Sequence, residues 1–170
     1  MRLCTSLADF PKIISRVKKA KECQDNWRWL FFRGNTWTWK TYQMRNFYEA
    51  MQENHLSVRR FTMIDFSINC RQSFSDNSPF HYDLEKYKKT SFLFIDDLWV
   101  EKATDYVVET LYSIVEYRYT RNLATFFTSN QSPEAIWEKY NQQMESRIRE
   151  KCKIVHFAWE DKRKAMWPNF

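Results

Sequence analysis

Glycine is nearly absent from this chain, which has 170 residues and a single glycine, Gly34. Average usage of about 7% would give roughly 12 glycines in a chain of this length. A phosphate loop with its full set of glycines is therefore excluded. Eight tryptophans are present, and several stand where a turn is expected: Trp29, Trp37, Trp39, Trp99, Trp159 and Trp167. We interpret the chain as a glycine-depleted variant with tryptophan at former glycine sites; an ordinary aromatic-rich sequence is the alternative.

Long apolar runs and paired cysteines are also missing. No apolar run approaches 18 residues, which argues against a membrane span. The N-terminal residues 1–5 lack the apolar core of a signal peptide, which predicts a cytoplasmic protein. The four cysteines form no C-x-x-C pair and are expected to be reduced and mostly buried rather than zinc ligands. The net charge of +6 favours polyanionic partners through long-range attraction.

Strand and helix patterns alternate along the chain. Period-two or continuous apolar runs predict strands at 28–33, 58–66, 91–95, 123–127 and 153–157. Amphipathic patterns and cap residues predict helices at 7–22, after residue 40, at 82–89, after Thr104, and from Ser132 to about Ile148. This alternation is typical of a three-layer α/β domain with a mostly parallel five-stranded sheet flanked by helices. The length predicts a single domain over residues 1–170.

The most informative stretch follows the first predicted strand. Gly34, Lys40 and Thr41 match the phosphate-loop pattern G-x-x-x-x-G-K-[ST], in which backbone N–H groups and a lysine bind phosphates and the hydroxyl binds Mg²⁺. Trp39 replaces the second glycine, and its side chain is expected to crowd the phosphate site. The residues expected to bind the nucleotide are Gly34, Asn35, Thr36, Thr38, Lys40 and Thr41.

An acidic pair, Asp96 and Asp97, ends the buried strand that contains Phe92, Leu93, Phe94 and Ile95. Open α/β sheets bind ligands at the carboxyl ends of their strands, so these carboxylates are candidates for a metal site. A turn or helix cap is the alternative reading of the same pair. The phosphate-loop candidate upstream favours the metal site, with Thr41 and Asp96 as the metal residues.

Taken together, these stretches resemble the ATPase core of DnaC/IstB-type AAA+ proteins, the bacterial and phage helicase loaders and transposition helper ATPases. The segment 94–98 resembles the Walker B strand of that family, and the segment 125–130 resembles its sensor-1 strand. The similarity extends over residues 7–163. The family usually has glycine where Trp99 stands, and commonly at Trp37 and Trp39, which supports the interpretation of glycine depletion.

The resemblance implies a P-loop NTPase fold, ATP and Mg²⁺ as cofactors, and a role in DNA replication. It implies that Asp97 activates water, that Asn130 positions the attacking water or senses the γ-phosphate, and that Arg147 reaches into a neighbouring subunit's site. The implied partners are a replicative helicase, single-stranded DNA and further copies of the chain in a nucleotide-bound oligomer. The N-terminal partner-binding region of the family is expected to be absent, and a helical lid absent or minimal.

Three functions remain open from the sequence. The first is an AAA+ ATPase whose hydrolysis is impaired by Trp37 and Trp39. The second is a catalytically silent scaffold of the same fold that binds protein or single-stranded DNA. The third is a kinase of nucleotides or small molecules, which leaves Asn130 and Arg147 unexplained. The basic and aromatic residues at 86–89 could bind single-stranded DNA through charge and stacking, or the lysines among them could be ordinary surface residues.

Overall fold

The computed structural model describes residues 29–34, 40–73, 79–99, 103–132, 134–136, 140 and 142–157. The predicted helix at 7–22 lies outside these residues. So do five loop residues named above: Asn35, Thr36, Trp37, Thr38 and Trp39. Within the described segments, no helix is both long enough and apolar enough to cross a membrane.

Strands and helices alternate along the described chain. The strands are β1 (Trp29–Gly34), β2 (Val58–Thr62), β3 (Phe92–Asp96), β4 (Ala124–Ser129) and β5 (Cys152–Phe157). The helices are α1 (Lys40–Glu53), α2 (Met63–Gln72), α3 (Pro79–Lys89), α4 (Asp105–Thr120) and α5 (Gln142–Lys151). Because helices separate successive strands, neighbouring strands can run parallel in one sheet.

The five strands form one parallel sheet in the order β2-β3-β4-β1-β5. In the register of the sheet, Phe31 pairs with Phe127 of β4 and Ile154 of β5. The carboxyl ends of all five strands therefore share one edge, which we call the C-edge. At this edge β4 lies between β1 and β3, so residues that end β1 and β3 face each other across β4.

Both faces of the sheet are covered by helices. Trp29 and Phe31 face a core that also contains apolar residues of α2, α3, α4 and α5. Leu30 and Phe32 face the opposite way and pack with Met44, Phe47 and Met51 of α1. Strands that are buried on both faces are expected to be continuously apolar, as the central strand β3 is from Phe92 to Ile95. The predicted three-layer α/β fold with a five-stranded parallel sheet is confirmed.

The predicted strand from Val58 to Phe66 was wrong in its second half. The strand ends at Thr62, and α2 begins at Met63. Thr62 caps the helix, because its Oγ1 accepts a hydrogen bond from the Asp65 N–H at 3.1 Å and donates one to Asp65 Oδ2 at 2.7 Å. A Thr-x-x-Asp spacing is a capping signal that outweighs the apolar run behind it.

The predicted continuous helix from Ser132 to about Ile148 was also wrong. Ser132 does cap a short helical segment at 134–136, since its Oγ accepts a hydrogen bond from the Ala135 N–H at 3.2 Å. Tyr140, however, is not helical, and α5 begins at Gln142. Buried Tyr140, with 7% of its surface exposed, packs into the core at this interruption.

Non-glycine residues occupy the left-handed backbone region in three places within the described segments, with φ of 56° at His55, 52° at Asp97 and 53° at Asn122. Glycine is the residue that adopts this region without steric cost. Trp29, by contrast, is the buried first residue of β1 rather than a turn residue, and neither Trp29 nor Trp99 has positive φ. Among the described residues, the positions that favour glycine are thus not held by tryptophan.

Arg118 is completely buried and fixes the end of the sheet opposite the C-edge. Its guanidinium donates hydrogen bonds to the Thr125 hydroxyl and to five backbone carbonyls, those of Tyr87, Lys88, Thr90, Ser91 and Ala124. Burial lowers the pKa of Arg118 to about 9, so the side chain still carries its charge at pH 7. This residue joins the ends of α3 and α4 to the beginnings of β3 and β4.

Candidate nucleotide-binding site

Lys40 is the first residue of α1 and lies just beyond the end of β1. Only 6% of its surface is exposed, and its ammonium group donates a hydrogen bond to the carbonyl of Gly34. Burial lowers the pKa of Lys40, while the charges of Asp97 and Asp96 act in the opposite direction. Thr41, the next residue of α1, places its Oγ1 3.5 Å from Asp96 Oδ1. Lys40, predicted from the loop pattern, and the acidic pair are thus brought to the same end of the molecule.

Asp96 ends β3 and is 1% exposed. Its Oδ1 accepts a hydrogen bond from Thr128 Oγ1 on β4 at 2.5 Å and lies 3.5 Å from Thr41 Oγ1 on α1. Its Oδ2 forms an ion pair with Arg60 Nη2 on β2 at 2.6 Å. A buried carboxylate needs such partners because an unpaired buried charge is costly. Residues from three other elements, β4, α1 and β2, therefore converge on Asp96.

Asp97 follows β3 in the left-handed conformation. Its N–H donates a hydrogen bond to Thr128 Oγ1 at 2.8 Å, so the same hydroxyl holds the backbone of Asp97 and the carboxylate of Asp96. The residue as a whole is exposed, but its carboxyl group is partly desolvated. This desolvation, followed by the charge of Asp96, raises the pKa of Asp97, while Lys40 and Arg60 lower it.

The donor set at Asp96 and Thr41 fits Mg²⁺. Carboxylate and hydroxyl oxygens are the hard ligands that this ion prefers, and in nucleotide sites one or two carboxylates suffice because phosphates and waters complete the shell. Within the described segments there is no group of three or more His, Cys, Asp and Glu side chains that could hold a metal by themselves. The site therefore fits a metal ion whose coordination shell is completed by phosphate or water.

Asn130 directly follows β4 and is exposed. It stands at the C-edge, where Asp97 follows the neighbouring strand β3. Asn35, Thr36 and Thr38 lie outside the described residues, so their predicted contacts with phosphate stay predictions.

Arg147 does not join this group within one chain. It lies on α5 and forms an ion pair with Glu116 of α4. Its guanidinium also lies over the rings of Tyr112, at 5.6 Å, and Tyr119, at 5.2 Å. Tyr119 packs against Trp29 at the beginning of β1. Arg147 thus lies toward the end of the sheet opposite the C-edge, and its predicted role in a neighbouring subunit's site stays a prediction.

The segment 86–89 is held by contacts within the chain. The ring of Tyr87 packs against that of Phe61 in the core, with 4.8 Å between centroids. Lys88 and Lys89 pair with Glu85 at 3.4 and 2.9 Å. Because the partly buried ring of Tyr87 packs against the core, less of it is available for stacking on a base. The alternative of ordinary surface lysines is the one that these contacts favour.

Two residues that touch Asp96 were missed as site residues. Thr128 was assigned to the sensor-1-like strand without a role of its own. Arg60 was not singled out, because two adjacent arginines in a short strand are typical of a solvent-exposed surface. Successive residues of a strand alternate between its two faces, so Val58, Arg60 and Thr62 lie on the same face of β2. In the parallel register, Thr62 is the neighbour of Asp96. The missing information was which strand neighbours β3.

No protein-family model matches the sequence, and a comparison with curated proteins finds no match. Among solved structures, the DnaI structure has a TM-score of 0.77 and 20% identity, over 91% of this chain and 92% of that one. The structure of the DnaC helicase loader has a TM-score of 0.71 and 17% identity, over 90% and 92% of the two chains.

AMPPCP-bound DnaA from Aquifex aeolicus has a TM-score of 0.75 and 15% identity over 95% of this chain. The chain spans 50% of that protein and 48% of another match, a DNA replication initiation factor. At these identities the similarity concerns the fold. The chain therefore has the α/β fold of the AAA+ P-loop domains of DnaA and DnaC.

Proposed function

We propose that this chain is the ATP-binding AAA+ domain of a helicase-loader-like protein that acts in DNA replication, with ATP hydrolysis impaired by Trp37 and Trp39. The observation that carries the proposal is the convergence of Lys40, Thr41 and Asp96 at the C-edge. A buried ammonium, a helix-terminal hydroxyl and a buried carboxylate are the groups that phosphoryl-transfer sites use for phosphate and metal.

In the proposed site, Gly34, Asn35, Thr36 and Thr38 supply the loop, and Lys40 binds the terminal phosphates. Thr41 and Asp96 hold Mg²⁺, which when bound supplies neutralisation of charge on the phosphate oxygens. Asp97 orients and activates the attacking water, and its raised pKa suits a group that accepts a proton. Asn130 positions the same water from the end of β4.

We further propose residues 1–170 as a single AAA+ core that assembles into a homo-oligomer when nucleotide is bound. Arg147 would then act across the subunit interface, because within its own chain it contacts Glu116 rather than the C-edge. A replicative helicase is the proposed protein partner. The similar structures include a DnaC helicase loader and a DnaA bound to AMPPCP and single-stranded DNA. These similarities support a helicase or DNA as the partner.

A catalytically silent scaffold of the same fold is the second candidate. Trp39 precedes Lys40 at the loop position where the phosphate-binding pattern has glycine. A Cβ and an indole at that position obstruct the close approach of phosphate to the backbone. In this case the chain would bind protein or single-stranded DNA without turnover.

A titration with a fluorescent ATP analogue in the presence of Mg²⁺ distinguishes the two candidates. The chain as it stands is expected to bind weakly or not at all, whereas Trp37→Gly/Trp39→Gly should bind in the micromolar range. Adding Lys40→Met to the double variant should weaken binding at least tenfold, and adding Lys89→Met, an exposed lysine, should not. Weak but measurable binding by the unmodified chain would support the ATP-binding domain, and no binding by it would support the silent scaffold. Absence of binding by a folded Trp37→Gly/Trp39→Gly variant would contradict the nucleotide site itself. Micromolar binding by the unmodified chain would refute obstruction by the tryptophans.

A further inference from the structure

Arg60 is the cation that pairs with Asp96. It lies on β2, two residues before Thr62, which is the register neighbour of Asp96. The side chain reaches along the strand and places Nη2 2.6 Å from Asp96 Oδ2. The exposed fraction is 27% for the Arg60 side chain and 1% for that of Asp96. One end of the pair is buried and fixed, and the other has access to solvent.

Both oxygens of Asp96 are occupied by protein groups. Oδ1 faces the hydroxyls of Thr128 and Thr41, and Oδ2 faces the guanidinium of Arg60. Together with Lys40 and Asp97, the site contains two cationic and two anionic side chains, which balance in charge. A divalent cation bound to this carboxylate would lie close to the guanidinium, and two like charges so close repel strongly where water is partly excluded.

We propose that Arg60 is an internal counter-cation of Asp96 that competes with the divalent cation for the Asp96 carboxylate. The identity of that cation as the companion of a nucleotide rests on the proposed function, but the competition itself does not. Arg60 acts as a positioning residue: it neutralises the buried carboxylate in the cation-free protein and leaves Oδ2 when a cation binds.

The surroundings of Arg60 allow this exchange. Its Nε is buried and has no hydrogen-bond partner among the described residues, so the guanidinium is held at the Asp96 end only. Its partial exposure gives the side chain a route into water, where a guanidinium is fully solvated. A long, flexible side chain can therefore leave without breaking the backbone ladder between β2 and β3.

The adjacent residue supplies a matched control. Arg59 lies on the same strand and is exposed. Its side chain points to the opposite face, since successive residues of a strand alternate. Replacing either arginine by methionine removes one positive charge from β2, but only the change at position 60 removes the partner of Asp96.

The test is a Mn²⁺ titration of the nucleotide-free protein, in which free Mn²⁺ is measured by electron paramagnetic resonance. Mn²⁺ prefers the same oxygen ligands as Mg²⁺. Arg60→Met should bind Mn²⁺ at least about tenfold more tightly than the unmodified chain, because a repelling charge is gone. Arg59→Met should bind Mn²⁺ with the same affinity as the unmodified chain. The double variant Arg60→Met/Asp96→Asn should not show the tighter Mn²⁺ binding of Arg60→Met.

Thermal unfolding gives a second readout. Without metal, Arg60→Met should lower Tm by roughly 3–6 °C because it leaves a buried carboxylate without its counter-charge. Mn²⁺ should restore part of this loss in Arg60→Met and have little effect on Arg59→Met. Arg60→Gln keeps a hydrogen-bond donor to Asp96 without the charge, and it should show the same tighter Mn²⁺ binding if Arg60→Met does not fold.

Equal Mn²⁺ affinity in Arg60→Gln, Arg59→Met and the unmodified chain would overturn the competition. That outcome is distinguishable from failure of the proposed function, because no nucleotide is present. Suppose that Arg60→Met or Arg60→Gln binds Mn²⁺ more tightly than the unmodified chain, but the Trp37→Gly/Trp39→Gly variant binds no ATP analogue. This pair of results would support Arg60 as a counter-cation and contradict the nucleotide site.

Discussion

Thr128 and Asp96 are joined by a hydrogen bond of 2.5 Å between neighbouring strands, with the Thr128 hydroxyl as donor to Oδ1. The same hydroxyl accepts the N–H of Asp97 at 2.8 Å. One side chain on β4 thus fixes both the buried carboxylate of Asp96 and the backbone turn that presents the carboxylate of Asp97. The end of β4 is therefore part of the site even though Thr128 itself is buried.

Replacing this hydroxyl should loosen the acidic pair. Thr128→Val is nearly isosteric but removes the donor to Asp96 Oδ1 and the acceptor of the Asp97 N–H, while the ion pair of Asp96 with Arg60 remains. A hydrogen bond to a charged group contributes about 1.5–3 kcal/mol, so we expect a loss of unfolding free energy of that order in urea denaturation. Thr128→Ser keeps the hydroxyl and should cost clearly less; equal losses in the two variants would assign the effect to packing of the methyl group.

Arg118 should be among the most sensitive positions for stability. Arg118→Met removes the donor to five backbone carbonyls, of which those of Thr90 and Ala124 are in buried hydrogen bonds. We therefore expect the free energy of unfolding to fall by at least about 3 kcal/mol. Arg121→Met is the control, because Arg121 is exposed and lies over the ring of Tyr117 near the same helix end. A small effect of Arg118→Met in urea denaturation would show that water replaces the guanidinium.

The fold was largely predictable from the sequence because it follows from local signals. Continuous apolar strands such as Phe92–Asp96 and amphipathic helices such as Asp105–Thr120 carry their own periodicity. The junction at Thr62 was misassigned because the apolar residues after it suit either a strand or a helix. There the cap formed with Asp65 decides, and it is a single short-range interaction.

The site was predictable only in part, for a physical reason. Lys40, Thr41 and Asp96 belong to short patterns whose chemistry can be read along the chain. Arg60 and Thr128 reach the site through the order of strands in the sheet, and no local pattern encodes that order. The network around Arg118 depends in the same way on how α3, α4 and the strands meet.

Replacing His55 by glycine should stabilise the folded chain. It follows α1 at φ 56°, where its N–H bonds to Gln52 O at 2.9 Å and the Leu56 N–H bonds to Met51 O at 3.1 Å. This hydrogen-bond pattern ends helices at a residue that is usually glycine. His55→Gly should raise the unfolding free energy by about 1 kcal/mol.

Two further variants check the cause of that gain. Asn122 follows α4 with the same hydrogen-bond pattern and with positive φ. Asparagine tolerates positive φ, and the Asn122 side chain accepts a hydrogen bond from Lys151. Asn122→Gly should therefore raise the free energy of unfolding by less than His55→Gly does. Asn54→Gly, next to His55 but outside the left-handed region, should destabilise. A gain at Asn54 as large as at His55 would contradict relief of backbone strain.

Asp97 should make stability depend on pH in a defined direction. Its pKa is raised above the ordinary value of 3.8, so the folded chain holds this proton more tightly than the unfolded chain does. Stability contributed by the protonated form is therefore lost as pH rises from 3.8 through the folded-state pKa. At pH 7 the ionised carboxylate costs stability, and Asp97→Asn should remove that cost while keeping a residue that tolerates φ 52°.

The measurement is urea denaturation of Asp97→Asn and the unmodified chain from pH 3 to pH 7. We expect the variant to be more stable at pH 7 by at most about 0.5 kcal/mol, because Asp97 is exposed and solvent screens its interactions. The difference should disappear at the acid end of the range. Glu109→Gln, which removes an exposed carboxylate on α4, should show no such trend. A variant that gains stability only as pH falls would reverse the sign and contradict a raised pKa at Asp97.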